Sequence, residues 1–293
     1  MKYRVTHATE FIYDARVGLC YNLARMVPRE LPHQQVLTTS LQIEPLPHDH
    51  YRGTDYFGNR TDYFSIQQPH DRLVVTAVSD VAVAPPELSL FDQVADLAWE
   101  TVCEQLRTDR SAEFIEAFQF TLDSPMVSVD ELLAEYARSS FPPERPLDQA
   151  VYDLMRRIYA EFKYAPEFST IATPLKEVME HRSGVCQDFA HLAIGCLRAQ
   201  GLAARYVSGY IETDPPAGKE RLVGADASHA WFSVFQPGAG WLDFDPTNNQ
   251  RPGNRHVTVA WGRDYTDVTP LKGVAYGGGE HDLKVAVDVQ RIG

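Results

Sequence analysis

The chain has 293 residues, of which 44% are hydrophobic and 23% are charged, and its formal net charge is −13. This length suits one large domain or two modest ones, and the composition is that of a folded protein rather than a disordered one. Its basic residues are scattered, which argues against nucleic acid or an anionic membrane as a partner, because phosphate groups are bound by concentrated Lys and Arg side chains.

Apolar runs and cysteine spacing indicate the cellular compartment of the protein. The amino-terminal segment lacks the apolar stretch of a signal peptide, and no run approaches the roughly 20 residues that span a bilayer. Four cysteines lie far apart along the chain, which suits free thiols better than a disulfide framework. We therefore expect a soluble, cytoplasmic protein.

Residues 1–84 have the pattern of antiparallel strands. Apolar and polar residues alternate from Tyr3 and again from Leu37, and turn signals such as Phe57-Gly58-Asn59 separate the runs. We predict an all-β sandwich domain here. The strand pattern stops at Pro85-Pro86, and helical spacing from Phe91 onward predicts a helical connecting region over residues 85–150.

Residues 151–293 are predicted to form an α+β core that carries the chemistry. It opens with an apolar helical stripe from Val151 to Phe162, followed by a short helix from Thr173. A second helix begins after Ser183-Gly184 and ends at Gly201. The strand-like segments that follow are Ala204–Glu212, His229–Gln236 and Trp241–Asp245, and the tail adds two strands around the glycines at 277–279.

Cys186 lies where a cysteine nucleophile can be activated. It opens the predicted helix just after a flexible turn, where backbone N–H groups have no helical partner. A helix N-terminus and a nearby imidazolium both favour the thiolate, and the same N–H groups can stabilise an oxyanion. The other cysteines, Cys20, Cys103 and Cys196, are interpreted as core packing.

His229 is the candidate base, and two aspartates compete to orient it. A hairpin centred between Pro237 and Gly240 places His229 opposite about residue 248, three positions from Asp245 and five from Asp243. Side chains at odd positions share one face of each strand. The spacing favours Asp245 and leaves Asp243 open.

The stretches SGVCQDFAHL, SHAWFSVF and WLDFDPTN together resemble the transglutaminase-like core, in which a papain-type triad runs in the order Cys, His, Asp. The resemblance implies that Cys186, His229 and Asp245 form this triad, the aspartate being the one that precedes Pro-Thr. The segment from Tyr3 to Val83 and the tail Ala260 to Tyr265 are similar to bacterial members of the family.

These residues predict a cysteine-dependent acyl-transfer enzyme that acts on peptide or carboxamide bonds of a peptide or protein substrate. If water attacks the acyl-enzyme, the protein is a peptidase or amidase. If an amine attacks it, the protein is a transglutaminase. The rival interpretation is a non-catalytic module that keeps the fold and binds peptides. Sequence alone does not distinguish hydrolysis from transamidation, because both use the same residues.

Other side chains near the predicted site have two interpretations each. Gln187 and Asp188 flank the nucleophile and either bind substrate or cap the helix. Trp231 shares the predicted face of His229 and either lines the cleft or anchors the core.

No cofactor or metal is predicted, since the sequence shows no glycine-rich phosphate loop and no convincing ligand cluster. The weak metal candidates are His181 with Cys186 and His191, and the run His48-Asp49-His50.

Overall fold

The structure is a computed structural model that describes residues 1–85, 97–171, 173–213 and 228–293. The first part of the helix expected from Phe91 lies outside these ranges. Within them, no helix combines the length and the apolar character that a membrane crossing requires.

The strands of the described ranges alternate with helices only in the second half of the chain. They are β1 (Lys2–Ala24), β2 (Gln34–Glu44), β3 (Asp49–Thr54), β4 (Arg60–Ile66), β5 (His70–Val83), β6 (Lys163–Tyr164), β7 (Ser183–Gly184), β8 (Ala204–Ile211), β9 (Ser228–Gln236), β10 (Gly240–Phe244), β11 (His256–Gly262), β12 (Leu271–Gly277) and β13 (His281–Arg291).

The helices of the described ranges all begin after residue 98. They are α1 (Trp99–Thr108), α2 (Ala112–Phe118), α3 (Glu131–Arg138), α4 (Leu147–Glu161), α5 (Leu175–His181), α6 (Cys186–Ala199) and α7 (Tyr265–Val268), with a 3₁₀ turn at Gln119–Thr121. The predicted stripe from Val151 lies on α4, and its residues Val151, Leu154, Met155 and Ile158 are buried.

The amino-terminal region is antiparallel as predicted, but its strands form one curled sheet and not two separate ones. The sheet runs β2-β5-β1-β4-β3, and β12 and β13 also pair with β1. At 23 residues, β1 is long enough to have different neighbours along its two halves. Its first half pairs with β5 and β13, its second half pairs with β4 and β12, and the register shifts around Val17. The irregularity allows the sheet to bend over its own apolar face.

The last two strands depart from the expected domain boundary. We assigned residues 151–293 to the core, yet β12 and β13 flank the glycine run as predicted and then pair with β1, from Ala24 with Leu271 to Tyr3 with Arg291. The physical reason is that one edge of β1 would otherwise have unpaired backbone N–H and C=O groups. The returning strands β12 and β13 form hydrogen bonds with these groups. The chain therefore closes on its own first strand.

The second unit is an antiparallel sheet in the order β10-β9-β8-β11, with α6 packed against β8 and β9. Helices α3, α4 and α5 pack in turn on α6. In the predicted hairpin of β9 and β10, Gly240 pairs with Gln236 and Asp243 with Ser233, one residue from the expected register. This helix-on-sheet arrangement confirms the predicted α+β class.

One large apolar cluster joins the two units. It contains residues of α4 and α6 together with inward-facing residues of the first sheet, namely Tyr3, Val5, Val81, Val83, Val287 and Val289. A smaller cluster, which includes Phe64, Leu73 and Val75, fills the curl of that sheet. Because the larger cluster contains residues of both the first sheet and the second unit, the first sheet packs directly against the second unit.

Candidate active site

Cys186 is the first residue of α6 and is half-buried. Arg182, which follows the end of α5, has a left-handed conformation (φ 50°) that turns the chain into β7 and then into α6. The first backbone N–H groups of an α-helix have no partner inside the helix and carry partial positive charge. The predicted placement of the thiol at a helix start is confirmed.

Asp188 stabilises this helix start from within. Its buried Oδ2 accepts hydrogen bonds from the Val185 backbone N–H (2.8 Å) and from Ser169 Oγ (2.5 Å). Burial raises the pKa of the Asp188 carboxyl, and these two bonds partly offset the rise. A Cβ at Gly184 would lie 2.8 Å from Asp188 Cβ, so the turn needs glycine for this close approach. Of the two interpretations of Asp188, the geometry supports capping.

The side chains of His229 and Asp245 meet although the two residues are 16 positions apart in the chain. Nε2 of His229 donates to Asp245 Oδ2 at 2.8 Å, and the two side chains are only 7% and 0% exposed. His229 lies at the start of β9, whereas Asp245 follows the end of β10 and bridges to Gln250. Asp243 instead accepts a hydrogen bond from Ser233, so the structure brings Asp245 to the imidazole.

The imidazole of His229 also engages Cys186, and this interaction together with Asp245 controls its charge. Burial lowers the pKa of His229, but hydrogen bonds to Asp245 and Cys186 outweigh burial and raise the pKa from 6.5 to about 10. Since Nε2 is bonded to Asp245, Nδ1 is the nitrogen left to face the thiol. Cys186, His229 and Asp245 thus lie in one chain of contacts.

The carboxylate of Asp245 is surrounded by donors. Oδ1 accepts the backbone N–H groups of Thr247 (3.0 Å) and Asn248 (3.2 Å). Oδ2 accepts Asn248 Nδ2 (2.8 Å) and His256 Nε2 (3.2 Å) in addition to His229. Burial raises the pKa of Asp245, but these hydrogen bonds together bring it well below its ordinary value. A fully buried carboxylate therefore stays ionised.

The other two side chains with a possible substrate contact, Gln187 and Trp231, differ in their burial. Gln187 is half-buried and donates from Nε2 to the Ile171 carbonyl at 3.3 Å. Trp231 is fully buried, its ring centroid lies 6.0 Å from that of His229, and its Nε1 has no hydrogen-bond partner among the residues that the structure describes. The Trp231 ring packs beside His229 inside the core and exposes no surface to a ligand.

Two residues of the site were missed by sequence analysis: His256 and Asn248, which both contact Asp245. Asn248 lies in WLDFDPTN, so its nearness to Asp245 in the chain was the available signal. His256 opens β11, an edge strand of the core sheet, and nothing in its local pattern distinguishes it from other histidines.

The geometry also bears on metal binding. His191 accepts a hydrogen bond from the Tyr265 N–H (3.1 Å) and His50 bonds Asp62 (2.6 Å), so neither weak candidate gathers its residues around an ion. In the described part of the chain, His229, Asp245 and His256 place their potential ligand atoms within 4.8 Å of one another. Both imidazoles, however, already donate to the carboxylate, and the group is satisfied as a hydrogen-bond network.

Sequence comparison agrees with this geometry. Residues 134–246 match the Transglutaminase-like superfamily, a range that contains Cys186, His229 and Asp245. Residues 3–82 match the Bacterial transglutaminase-like N-terminal region. The chain belongs to the transglutaminase-like superfamily. Its recognition from three short motifs is confirmed.

Relatives of this transglutaminase-like protein cover its full length. An uncharacterized protein of Mycobacterium tuberculosis (strain H37Rv) is 44% identical over 294 residues, covering 98% of this chain and 92% of the relative. An uncharacterized protein of Mycobacterium leprae (strain TN) is 31% identical over 290 residues, covering 99% and 98%.

More distant matches are of two kinds. A protein-glutamine gamma-glutamyltransferase of Pseudomonas aeruginosa is 33% identical over 123 residues, which cover 40% of this chain and 18% of that protein. A crystal structure from Cytophaga hutchinsonii, of a protein provisionally assigned as a cysteine protease, superposes with a TM-score of 0.74 at 19% identity, covering 100% of this chain and 92% of the other. The latter match shows the fold.

Proposed function

We propose that this transglutaminase-like protein is a cysteine-dependent acyl-transfer enzyme whose simplest activity is hydrolysis of peptide or carboxamide bonds. The observation that carries the proposal is the 2.8 Å hydrogen bond between His229 and Asp245, together with Cys186 at the start of α6, whose interaction with the imidazole helps to raise the pKa of His229. Nucleophile, base and orienting group are the three parts that acyl transfer needs.

In the proposed reaction, the thiolate of Cys186 forms a bond to the carbonyl carbon and the carbonyl π electrons move to oxygen. Backbone N–H groups in the first turn of α6 stabilise that oxyanion. When the tetrahedral adduct collapses, the C–N bond breaks and the leaving amine takes a proton from His229. The product is a thioester on Cys186.

Water completes the cycle. His229 takes one proton from water as its oxygen attacks the thioester carbon, and the C–S bond then breaks to release a carboxylic acid and the thiolate. A His229 that keeps its proton at neutral pH supports the thiolate between turnovers. Asp245 remains ionised throughout and keeps the imidazole in one orientation.

A second candidate is transamidation, in which an amine replaces water. The resemblance to the Pseudomonas aeruginosa protein-glutamine gamma-glutamyltransferase over 40% of the chain favours it. The residues would be the same and only the acceptor would differ.

We further propose that the protein acts in the cytoplasm on a peptide or protein substrate. Support for the compartment comes from the four cysteines, all of which are free thiols. Support for the substrate comes from exposed apolar groups near the nucleophile. Tyr164 is 51% exposed and lies close enough to Cys186 for the thiolate to raise its pKa, after the larger effect of burial, and Ile171 is 55% exposed.

The test is the rate of iodoacetamide labelling of each cysteine against pH, with mass spectrometry to locate the adduct. We expect Cys186 to be labelled selectively below pH 7, and His229→Ala to slow this labelling on the order of a hundredfold or more. Cys196 is an internal control, since full burial keeps it from the reagent. Slow labelling of Cys186 in both proteins would contradict the proposal.

The wild-type protein is then incubated with a peptide library in the presence and absence of a fluorescent amine. Peptide cleavage without amine incorporation supports hydrolysis, whereas incorporation in place of cleavage supports the transferase.

A further inference from the structure

His256 occupies a position that the three-residue triad leaves unexplained. It is 5% exposed at the start of β11, and its Nε2 lies 3.2 Å from Asp245 Oδ2. His229 bonds the same oxygen at 2.8 Å, so two imidazoles converge on one carboxylate atom. The two ring centroids lie 6.1 Å apart.

The tautomer of His256 follows from its other nitrogen. The backbone N–H of Gly253 donates to His256 Nδ1 at 3.3 Å, and the backbone N–H of His256 returns a bond to the Gly253 carbonyl at 3.0 Å. A nitrogen that accepts a hydrogen bond carries no proton, so the proton of this ring lies on Nε2. His256 is therefore a donor to Asp245.

Packing holds the ring in this orientation. The indole of Trp231 meets His256 edge-on, with centroids 5.3 Å apart and planes at 83°, and its centroid also lies 6.0 Å from that of His229. The indole has room because residue 209 is glycine, where a Cβ would lie 2.5 Å from the Trp231 ring. A buried aromatic ring thus packs against both histidines.

We propose that His256 is a positioning residue of the acyl-transfer site, which fixes the Asp245 carboxylate through a second hydrogen bond to the oxygen that His229 also bonds, and extends the triad to the chain Cys186, His229, Asp245, His256. The inference rests on the proposed function for its catalytic consequence. His256 does not touch the reacting atoms and acts through the orientation of Asp245.

The same contact influences protonation. The side chains that donate to the Asp245 carboxylate are those of His229, His256 and Asn248, beside the backbone N–H groups of Thr247 and Asn248, and the hydrogen bond from His256 is among those that lower the pKa of Asp245. Removal of this donor raises the pKa of the carboxyl, so Asp245 takes up a proton at a higher pH than in the wild type.

The experiment compares His256→Phe with His256→Gln, because the glutamine amide nitrogen can replace Nε2 as a donor and phenylalanine cannot. We expect His256→Phe to slow iodoacetamide labelling of Cys186 by roughly 10- to 100-fold and to move the acid limb of its pH profile upward. His256→Gln should stay within about threefold of the wild type. His7→Phe is the matched control, since His7 is another buried histidine, bonded to Tyr210 through Nδ1 at 2.8 Å.

A second readout is independent of activity. Long-range ¹H–¹⁵N NMR reports which nitrogen of each imidazole carries the proton, and the titration midpoint of His229 reports on Asp245. We expect a proton on Nε2 of His256, and a changed His229 midpoint in His256→Phe but not in His7→Phe. Equal labelling and equal midpoints in wild type and His256→Phe would overturn the inference even if Cys186 is reactive. A changed midpoint in a protein with an unreactive Cys186 would instead overturn the proposed function and keep the positioning role.

Discussion

At the scale of single residues, the choice between two aspartates decides how the imidazole is held. Asp245 accepts the bond from His229, while Asp243, two positions earlier, accepts one from Ser233. The difference arises because Asp243 is paired within the hairpin, opposite Ser233, and Asp245 lies beyond the end of the strand.

The corresponding prediction compares Asp245→Asn with Asp243→Asn. Loss of the Asp245 charge should lower the pKa of His229 toward its ordinary 6.5 and slow Cys186 labelling on the order of a hundredfold or more. Asp243→Asn should leave the His229 pKa unchanged. NMR titration of ¹³C-labelled histidine and the labelling rate measure the two effects, and equal effects of the two variants would exclude a special role for Asp245.

The raised pKa also predicts how stability varies with pH. A histidine whose pKa rises on folding from 6.5 to about 10 contributes stability that is fully present below pH 6.5 and is lost as the pH rises toward 10. Denaturant unfolding should therefore show that the wild type has a larger free energy of unfolding than Asp245→Asn at pH 6, and that this advantage shrinks at pH 10. An advantage that stays constant across this range would contradict the assigned pKa.

At the scale of elements, the start of α6 matters because it carries Cys186. The cap is internal: Asp188, in the first turn of the helix, folds back to the Val185 N–H and is held by Ser169. Helix α3 has the reciprocal cap, in which the exposed N-cap residue Asp130 accepts the Leu133 N–H at 2.9 Å, far from the thiol in the chain.

The two caps make a matched pair of variants. Asp188→Ala should lower the free energy of unfolding by about 1–3 kcal/mol and also slow Cys186 labelling, because the helix start loses its buried acceptor. Asp130→Ala should cost about 1 kcal/mol and leave labelling unchanged. Thermal unfolding and the labelling rate distinguish the two, and equal labelling in both would show that Asp188 caps the helix without affecting the thiol.

At the scale of the whole molecule, the amino-terminal region covers the free edge of β11 with side-chain amides. Gln34 donates from Nε2 to the Thr258 carbonyl (2.7 Å) and accepts the Thr258 N–H (2.8 Å). Asn59 repeats the arrangement at Trp261, donating to its carbonyl (2.8 Å) and accepting its N–H (2.9 Å). These amides supply the hydrogen bonds that a further strand would make. Since β11 carries His256, the amino-terminal region supports the site through this edge.

Gln34→Ala tests that support. It leaves the buried N–H of Thr258 without its acceptor, while the Thr258 carbonyl keeps the Arg29 N–H at 3.1 Å, and it should lower the free energy of unfolding by about 1–3 kcal/mol. Its neighbour Gln35 is exposed, so Gln35→Ala should change stability by less than about 0.5 kcal/mol. Denaturant unfolding followed by near-UV circular dichroism measures both, and equal stability of the two variants would show that the amide contacts are dispensable.

The sequence by itself determined the features that arise from neighbours in the chain. The helix start at Cys186, the stripe on α4, the hairpin and the strands around the glycine run are local patterns, and short-range periodicity and turn chemistry are sufficient to predict them. The three motifs around Cys186, His229 and Asp245 identified the family.

Only the tertiary structure decided which distant groups meet. It placed His256 on Asp245, brought β12 and β13 back to β1, showed that Asp188 caps α6 and buried Trp231 beneath two histidines. These contacts join residues on separate strands and helices, so no local periodicity encodes them. They depend on how the curled sheet and the core pack together, because that packing sets the distances between the side chains.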